Sequence, residues 1–267
     1  MSASNPGSGL IVRYVGGPTA ILETAGMRFL TDPTFDPPGD YPIGKRKLVK
    51  TAGPAFTMAD IGSVDAVLLS HDQHPDNLDN GGRAYLRSVP VVFSTAAARE
   101  RLGDPVRALP PWEQTDVQGR GGVIQVTGVP ALHGPEGSES LVGEVTGFVL
   151  SGRDLATVYV SGDNASLAVV RTIATRVGPV DVALLNAGAA QSPLVPGGFL
   201  TLTSADAAEA ARVLGSPETV PLHFEGWAHF TQGRDTLEPA FERSSLAECL
   251  HLLEPGQAIE LGQRPSR

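Results

Sequence analysis

Six histidines are spread along the chain, at positions 71, 74, 133, 223, 229 and 251. The segment His71-Asp72-Gln73-His74-Pro75-Asp76-Asn77-Leu78-Asp79 sets two of them among three carboxylates. Neutral imidazole and carboxylate together are ligands for zinc and for harder divalent ions. Burying so many ionisable groups without partners would cost several kcal/mol each, so a core has no use for them. His71, His133 and His223 each come directly after an apolar stretch, Val67-Leu68-Leu69-Ser70, Val129-Pro130-Ala131-Leu132 and Val220-Pro221-Leu222, and Asp163 follows Val158-Tyr159-Val160-Ser161-Gly162. Taken singly, each has an ordinary structural use. A histidine after a strand commonly serves as a hydrogen-bonded scaffold residue, Asp163 is placed to cap a helix starting at Ala165, and His251 in Leu250-His251-Leu252-Leu253 reads as structural. Four such residues at strand ends, together with the dense turn, form the pattern of a metal site, because a sheet fixes the spacing of its strand ends. No Gly-x-Ser-x-Gly elbow offers a serine nucleophile instead.

The elements that must position these groups alternate between strand and helix. Apolar runs at Leu10–Val15, Ala20–Thr24 and Arg28–Thr31, punctuated by Gly16-Gly17-Pro18 and Ala25-Gly26, predict an antiparallel meander. Phe35–Met58 carries Pro37-Pro38, Pro42 and Pro54 and reads as a long loop of functional length. Buried strands are expected at Val64–Ser70 and Val89–Phe93, and later at Val123–Thr127, Gly143–Leu150, Ala156–Val160, Val180–Asn186 and Thr219–Leu222. Helices fit Thr95–Leu102, Ala165–Arg176, Ser204–Leu214 with Ser204 as N-cap and Gly215 as C′, and Thr236–Glu242. No repeat or linker composition divides the chain, so the reading is a disordered tail over 1–9 and one α/β domain over 10–262.

The 267 residues include 20 Lys+Arg against 29 Asp+Glu, a formal net charge of −9. That acidic balance provides no field to attract nucleic acid. The basic run Lys45-Arg46-Lys47, near Lys50, reads as a solvated loop. The single Cys249 excludes an intrachain disulfide and a cysteine-rich zinc site. No apolar stretch is long enough to span a membrane and the first residues do not read as a signal peptide, so a cytoplasmic protein is expected. A homo-oligomer is as compatible with the sequence as a monomer.

With these residues in place, the chain from Leu10 to about Leu261 resembles the metallo-β-lactamase fold hydrolases, which carry a His-x-His-x-Asp-His turn, then a His, a bridging Asp and a final His at later strand ends. His71, His74, Asp76, His133, Asp163 and His223 match in order. Leu30-Thr31-Asp32-Pro33, Ser70-His71, Gly162-Asp163 and Pro221-Leu222-His223 followed by Gly226-Trp227-Ala228-His229-Phe230 are similar to the branch of L-ascorbate-6-phosphate lactonase-like and N-acyl-phosphatidylethanolamine phospholipase D-like enzymes. The turn departs from the pattern twice: Asp72 and Gln73 both separate its first two histidines, and Asn77 stands at the place of its last histidine.

The resemblance implies a four-layer αββα sandwich of two mixed β-sheets flanked by helices. It implies one or two divalent metal ions, zinc first, with His71, His74 and His133 on one, Asp163 bridging, and Asp76, His223 and Asn77 on the other. An amide in place of imidazole makes that second site oxygen-rich, so manganese is expected there, held more weakly, or no second ion at all. The implied chemistry is hydrolysis of a small-molecule ester, lactone, amide or phosphodiester by metal-bound hydroxide, with Asp76 orienting the nucleophile and His229 contacting substrate or donating a proton. The alternative is a degenerate member that binds metal or ligand without turnover. The cleft mouth is expected from Phe35–Met58, Gly134–Leu141 and Ala187–Phe199, with Glu225 and Trp227 beside it.

Overall fold

The computed structural model describes residues 9–119 and 121–262, so the tail expected over 1–9 lies, except for Gly9, outside the described residues. The meander is present as β1 (Leu10–Gly16), β2 (Thr19–Thr24) and β3 (Met27–Thr31). A separate hairpin follows, β4 (Gly39–Ile43) and β5 (Arg46–Lys50), then β6 (Ala66–Leu68), β7 (Val92–Ser94) and β8 (Val106–Ala108). The second half supplies β9 (Gln114–Gly119), β10 (Gly122–Pro130), β11 (Thr146–Ser151), β12 (Val158–Val160), β13 (Val182–Asn186) and β14 (Glu218–Leu222), and β15 (Ala258–Leu261) returns to the first sheet. The sheet orders are β15-β1-β2-β3-β6-β7-β8 and β14-β13-β12-β11-β10-β9. Both are mixed: β3, β6, β7 and β8 run parallel, as do β12, β13 and β14, while the remaining neighbours are antiparallel.

Alternation along the strands shows the layers. Leu68 on β6, Phe148 and Leu150 on β11, and Val158 and Val160 on β12 join one core between the two sheets. Their neighbours point outward: Val67 and Leu69 pack on one side with Ile61, Tyr85 and Leu86. Val149, Tyr159 and Ala183 pack on the other with Val170, Ile173, Ala207 and Phe241. The outer layers are thus α1 (Met58–Ile61) and α2 (Asn80–Leu86), with α3 (Ala96–Leu102) against β8, on the first sheet. On the second sheet, beyond the one-turn α4 (Glu139–Val142), lie α5 (Leu167–Val177), α6 (Ser204–Val213) and α7 (Arg234–Arg243). Among the described residues no helix is long and apolar enough to cross a membrane.

Two expectations need correction, and one residue differs from its neighbours. Phe35–Met58 is not structureless, since Gly39–Ile43 pairs with Arg46–Lys50 in register from Gly39↔Lys50 to Ile43↔Arg46. The hairpin escapes a periodicity reading because it is a two-stranded ribbon in which Lys50 alone is buried, and it accommodates Pro42 as an edge strand can. Lys50, beside the basic run, is itself buried. The N-cap of α6 is Thr203, whose side chain accepts from Asp206 N, while Ser204 Oγ pairs with Thr236 Oγ1.

Asp79 ties the hairpin root to the rest of the fold. Its Oδ1 accepts from Phe35 N (2.9 Å) and from Gly82 N (2.8 Å) as the N-cap of α2, and its Oδ2 accepts from Asp36 N (2.7 Å) and Lys50 Nζ (3.0 Å). Gly82 is required by the same approach, because a Cβ there would lie 1.9 Å from Pro33 O. Asp79→Ala leaves a buried ammonium unpaired and three N–H groups without an acceptor, so chemical denaturation should show a loss of about 3–5 kcal/mol. A loss under about 1 kcal/mol would show that water replaces the carboxylate.

Candidate metal centre

The four residues read as strand-end ligands sit at one edge of the sandwich. His71 follows β6, His133 follows β10, Asp163 follows β12 and His223 follows β14, and the last three strands share one direction. Turns hold the loops there. Gly162 has φ +55°, and a Cβ on it would meet Thr146 O at 2.7 Å and Ser70 Cβ at 2.8 Å, so only glycine allows the Asp163 loop to lie against the His71 loop. Asn164 Oδ1 accepts from Leu132 N (3.1 Å), which fastens the Asp163 and His133 loops together. His223 itself takes a φ of 54°, held by its N–H on Gly17 O (2.8 Å), an energetic cost characteristic of functional sites. Asp163 does not cap α5: that cap is Ser166.

Two groups of ligand-type atoms result. In the first, His74 Nδ1 lies 2.9 Å from His71 Nε2 and 3.3 Å from His133 Nε2. The turn that separates His71 from His74 by two residues therefore still brings His74 to the cluster. It does so because Asp72 faces away, paired with Arg101 and Arg83. The outer ring nitrogens are spoken for: His133 Nδ1 donates to Leu200 O (2.8 Å), and His71 Nδ1 pairs with Ser70 Oγ (2.9 Å), which donates to Asp32 Oδ2 (2.8 Å). Such partners select the tautomer whose inner nitrogen bears a lone pair. Ligand nitrogens about 2.0–2.1 Å from a tetrahedral zinc stand about 3.3 Å apart, so this group fits a divalent ion. Burial and the neighbouring imidazoles hold His71 well below the usual histidine range and His74 down to about 4, the neutral state a ligand needs.

The second group is Asp76, Asp163 and His223, with one ligand atom of each within 4.8 Å of the others. Asp163 Oδ1 accepts from His223 Nδ1 (2.9 Å), Asn186 Nδ2 (2.7 Å) and Asn77 Nδ2 (3.2 Å). Burial opposes charge on Asp163 and Asp76, but the surrounding imidazoles hold both far below the ordinary carboxylate range. Burial likewise pushes His223 down, and Asp163 with Asp76 lifts it to about 10. Asp32, buried near Asp163, is raised to about 7. Asn186 was missed in the sequence, although a lone amide ending the fully buried strand Val182–Asn186 was a legible signal.

A cavity of about 610 Å³ opens beside His74. Its walls come from the hairpin turn (Ile43, Arg46), the segment around Leu141, and Leu194, with Gln73 at the turn. Those are the three loops expected at the mouth. Glu225 and Trp227 line a separate cavity of about 240 Å³ with Lys50, and Glu225 is paired with Arg234, because the chain after His223 turns back under the hairpin root.

Acid should destabilise the metal-free protein. Unfolded histidines protonate near 6.5, whereas His74 resists until about 4 and His71 lower still, so their contribution is present above 6.5 and lost as pH falls through 4. Asp32 acts in the opposite sense between about 7 and 4, and Asp76 and Asp163 add to the loss below about 4. His223, lifted to about 10, and Asp32 favour the fold as pH drops to 6.5, so the test lies below that: thermal midpoints recorded from pH 6.5 to 3.5 should fall, and more gently for His74→Gln. A flat profile would refute the neutral cluster.

Residues 27–224 match the family model of a beta-lactamase superfamily domain. A metal-dependent hydrolase of Methanosphaerula palustris is 34% identical over 209 residues, covering 74% of this chain and 84% of the relative. One from Rubrobacter xylanophilus is 26% identical over 257 residues, covering 94% and 96%. Among solved structures, the isothiocyanate hydrolase from Delia radicum gut bacteria aligns with a TM-score of 0.79 at 20% identity, covering 93% of this chain and 98% of that one.

Proposed function

The chain belongs to the beta-lactamase superfamily and is a metal-dependent hydrolase, and from that premise we propose that it cleaves an ester, lactone, amide or phosphodiester of a small anionic molecule in the cytoplasm. The observation that carries the proposal is the three-histidine cluster, whose His74 lines a cavity of about 610 Å³, within the size range of small-molecule sites. His71, His74 and His133 would hold one ion, and Asp76, Asp163 and His223 would hold a second. A bound divalent ion supplies Lewis acidity to the scissile group and lowers the pKa of the attacking water. Asp76 Oδ1, buried with no hydrogen-bond partner among the described residues, would orient that water and accept its proton. Asn77 and Asn186 hold Asp163 by its Oδ1. The acidic balance of the chain supports a small-molecule substrate over nucleic acid.

Arg46 supports the anionic character of the substrate. On the cavity wall it donates, among the described residues, to the neutral Ser192 Oγ (3.1 Å) and is neutralised by no carboxylate. Leu141 and Leu194, both exposed, offer the apolar part of the wall. The test compares p-nitrophenyl hexanoate with mono-p-nitrophenyl adipate, alongside a lactone, an amide and bis-p-nitrophenyl phosphate. Turnover should favour the carboxylate-bearing ester, and Arg46→Met should raise its KM about 10–100-fold while barely changing the neutral one, as expected for a charged hydrogen bond of about 1.5–3 kcal/mol. Metal-loaded protein inert towards all of them would favour binding without turnover.

A further inference from the structure

Asn77 and His229 approach the carboxylate cluster in different ways. Asn77 Nδ2 donates to Asp163 Oδ1 (3.2 Å) and to Asp32 Oδ2 (3.3 Å). Two acceptors on one side fix the amide with its NH₂ towards the carboxylates, which makes it a donor there. His229, six residues beyond His223 in the chain, brings its Nε2 to 3.0 Å from Asp76 Oδ2. The same carboxylate oxygen lies 3.4 Å from His223 Nε2. That nitrogen is buried and makes no hydrogen bond among the described residues, while His223 engages Asp163 through Nδ1. Spacings of 3.0 and 3.4 Å around one atom repeat the 2.9 and 3.3 Å of the three-histidine group. His229 Nδ1 is also buried without a partner among the described residues, so no protein donor to that nitrogen commits the ring to the Nε2–H tautomer that would merely donate to Asp76.

We propose that His229 is a metal ligand, holding the second ion together with Asp76, His223 and the shared Asp163, and that Asn77 is a positioning residue. This rests on the reading of a metal-dependent enzyme for the presence of metal, but not on any substrate. It replaces the proton-donor role expected for His229, and it changes the expected metal. With two imidazoles and two carboxylates the second site suits zinc as well as the first does, instead of selecting a harder ion.

Metal counting and cobalt spectroscopy test this without reading hydrolysis, so a protein that turns over none of the esters still gives an answer. The wild-type chain should bind two zinc or cobalt(II) ions with similar affinity. His229→Ala should keep the first and weaken the second by more than about 100-fold, beyond the roughly 10–100-fold caused by losing an outer hydrogen-bond partner. First-site binding reports that the variant is folded. His229→Cys, loaded with cobalt(II), should show a thiolate-to-cobalt charge-transfer band in the near ultraviolet that appears with the second equivalent and is missing from the wild type. Only one tight ion in the wild type, two undiminished ions in His229→Ala, or no thiolate band in His229→Cys would overturn the assignment.

Discussion

Asp163→Ala should reduce hydrolysis at least about 100-fold, on the scale of removing a preorganised charge from a reaction centre, and should lower bound metal at both positions. The expectation follows from how many groups this carboxylate serves. It is fully buried, takes three hydrogen bonds on Oδ1, and offers Oδ2 3.8 Å from His133 Nδ1. Without it, His223 is left as a buried imidazole beside Asp76 alone. Breaking a buried charge pair in this way costs about 3–5 kcal/mol of stability, so the midpoint of unfolding should fall together with the metal content. Asp163→Asn separates the two effects, keeping the packing while losing the charge. If Asp163→Ala keeps its metal and its turnover, the carboxylate is not shared between the two groups.

Chelation should have the second large effect. Dialysis against a strong chelator is expected to bring hydrolysis to background, with recovery when zinc is returned. A ligand present at 100 times its Kd adds about 2.7 kcal/mol to the folded state, so thermal unfolding should shift upward on reloading. Three neutral imidazole nitrogens facing one another at 2.9–3.3 Å are poised for an ion and have little to offer one another. Turnover that persists in metal-depleted protein would overturn the hydrolytic reading while leaving the fold untouched.

Much of this centre was legible because the ligands follow strands whose apolar runs are unmistakable. Val67-Leu68-Leu69 and Val182–Leu185 are buried on both faces, and a residue after such a strand has only the sheet edge to occupy. What periodicity could not supply was contact between distant segments. Lys50 follows a basic run in the chain, and nothing in that run announces its partner Asp79, 29 residues away. The turn at 72–73 reads as a defect in a motif until Arg101 is found holding Asp72. His229 was visible as a candidate, but its distance from Asp76 depends on a fold-back of the chain after a left-handed residue at 223, which no local pattern encodes. The four-layer architecture came from resemblance; composition and alternation alone allowed it without selecting it.

The hairpin over the cavity divides into a root and a tip with different obligations. At the root, Lys50 is locked to Asp79, and Thr51 N donates to Gly226 O, so that end is anchored to both halves of the molecule. At the tip, Gly44, Lys45 and Arg46 meet little besides the cavity and Ser192. Residues at the tip can therefore be exchanged without disturbing the anchor or the metal ligands, which lie on other loops. On the proposed function, substrate selection at the tip and the metal ligands lie in separate stretches of chain, and a library confined to the tip should change substrate preference while bound metal stays constant.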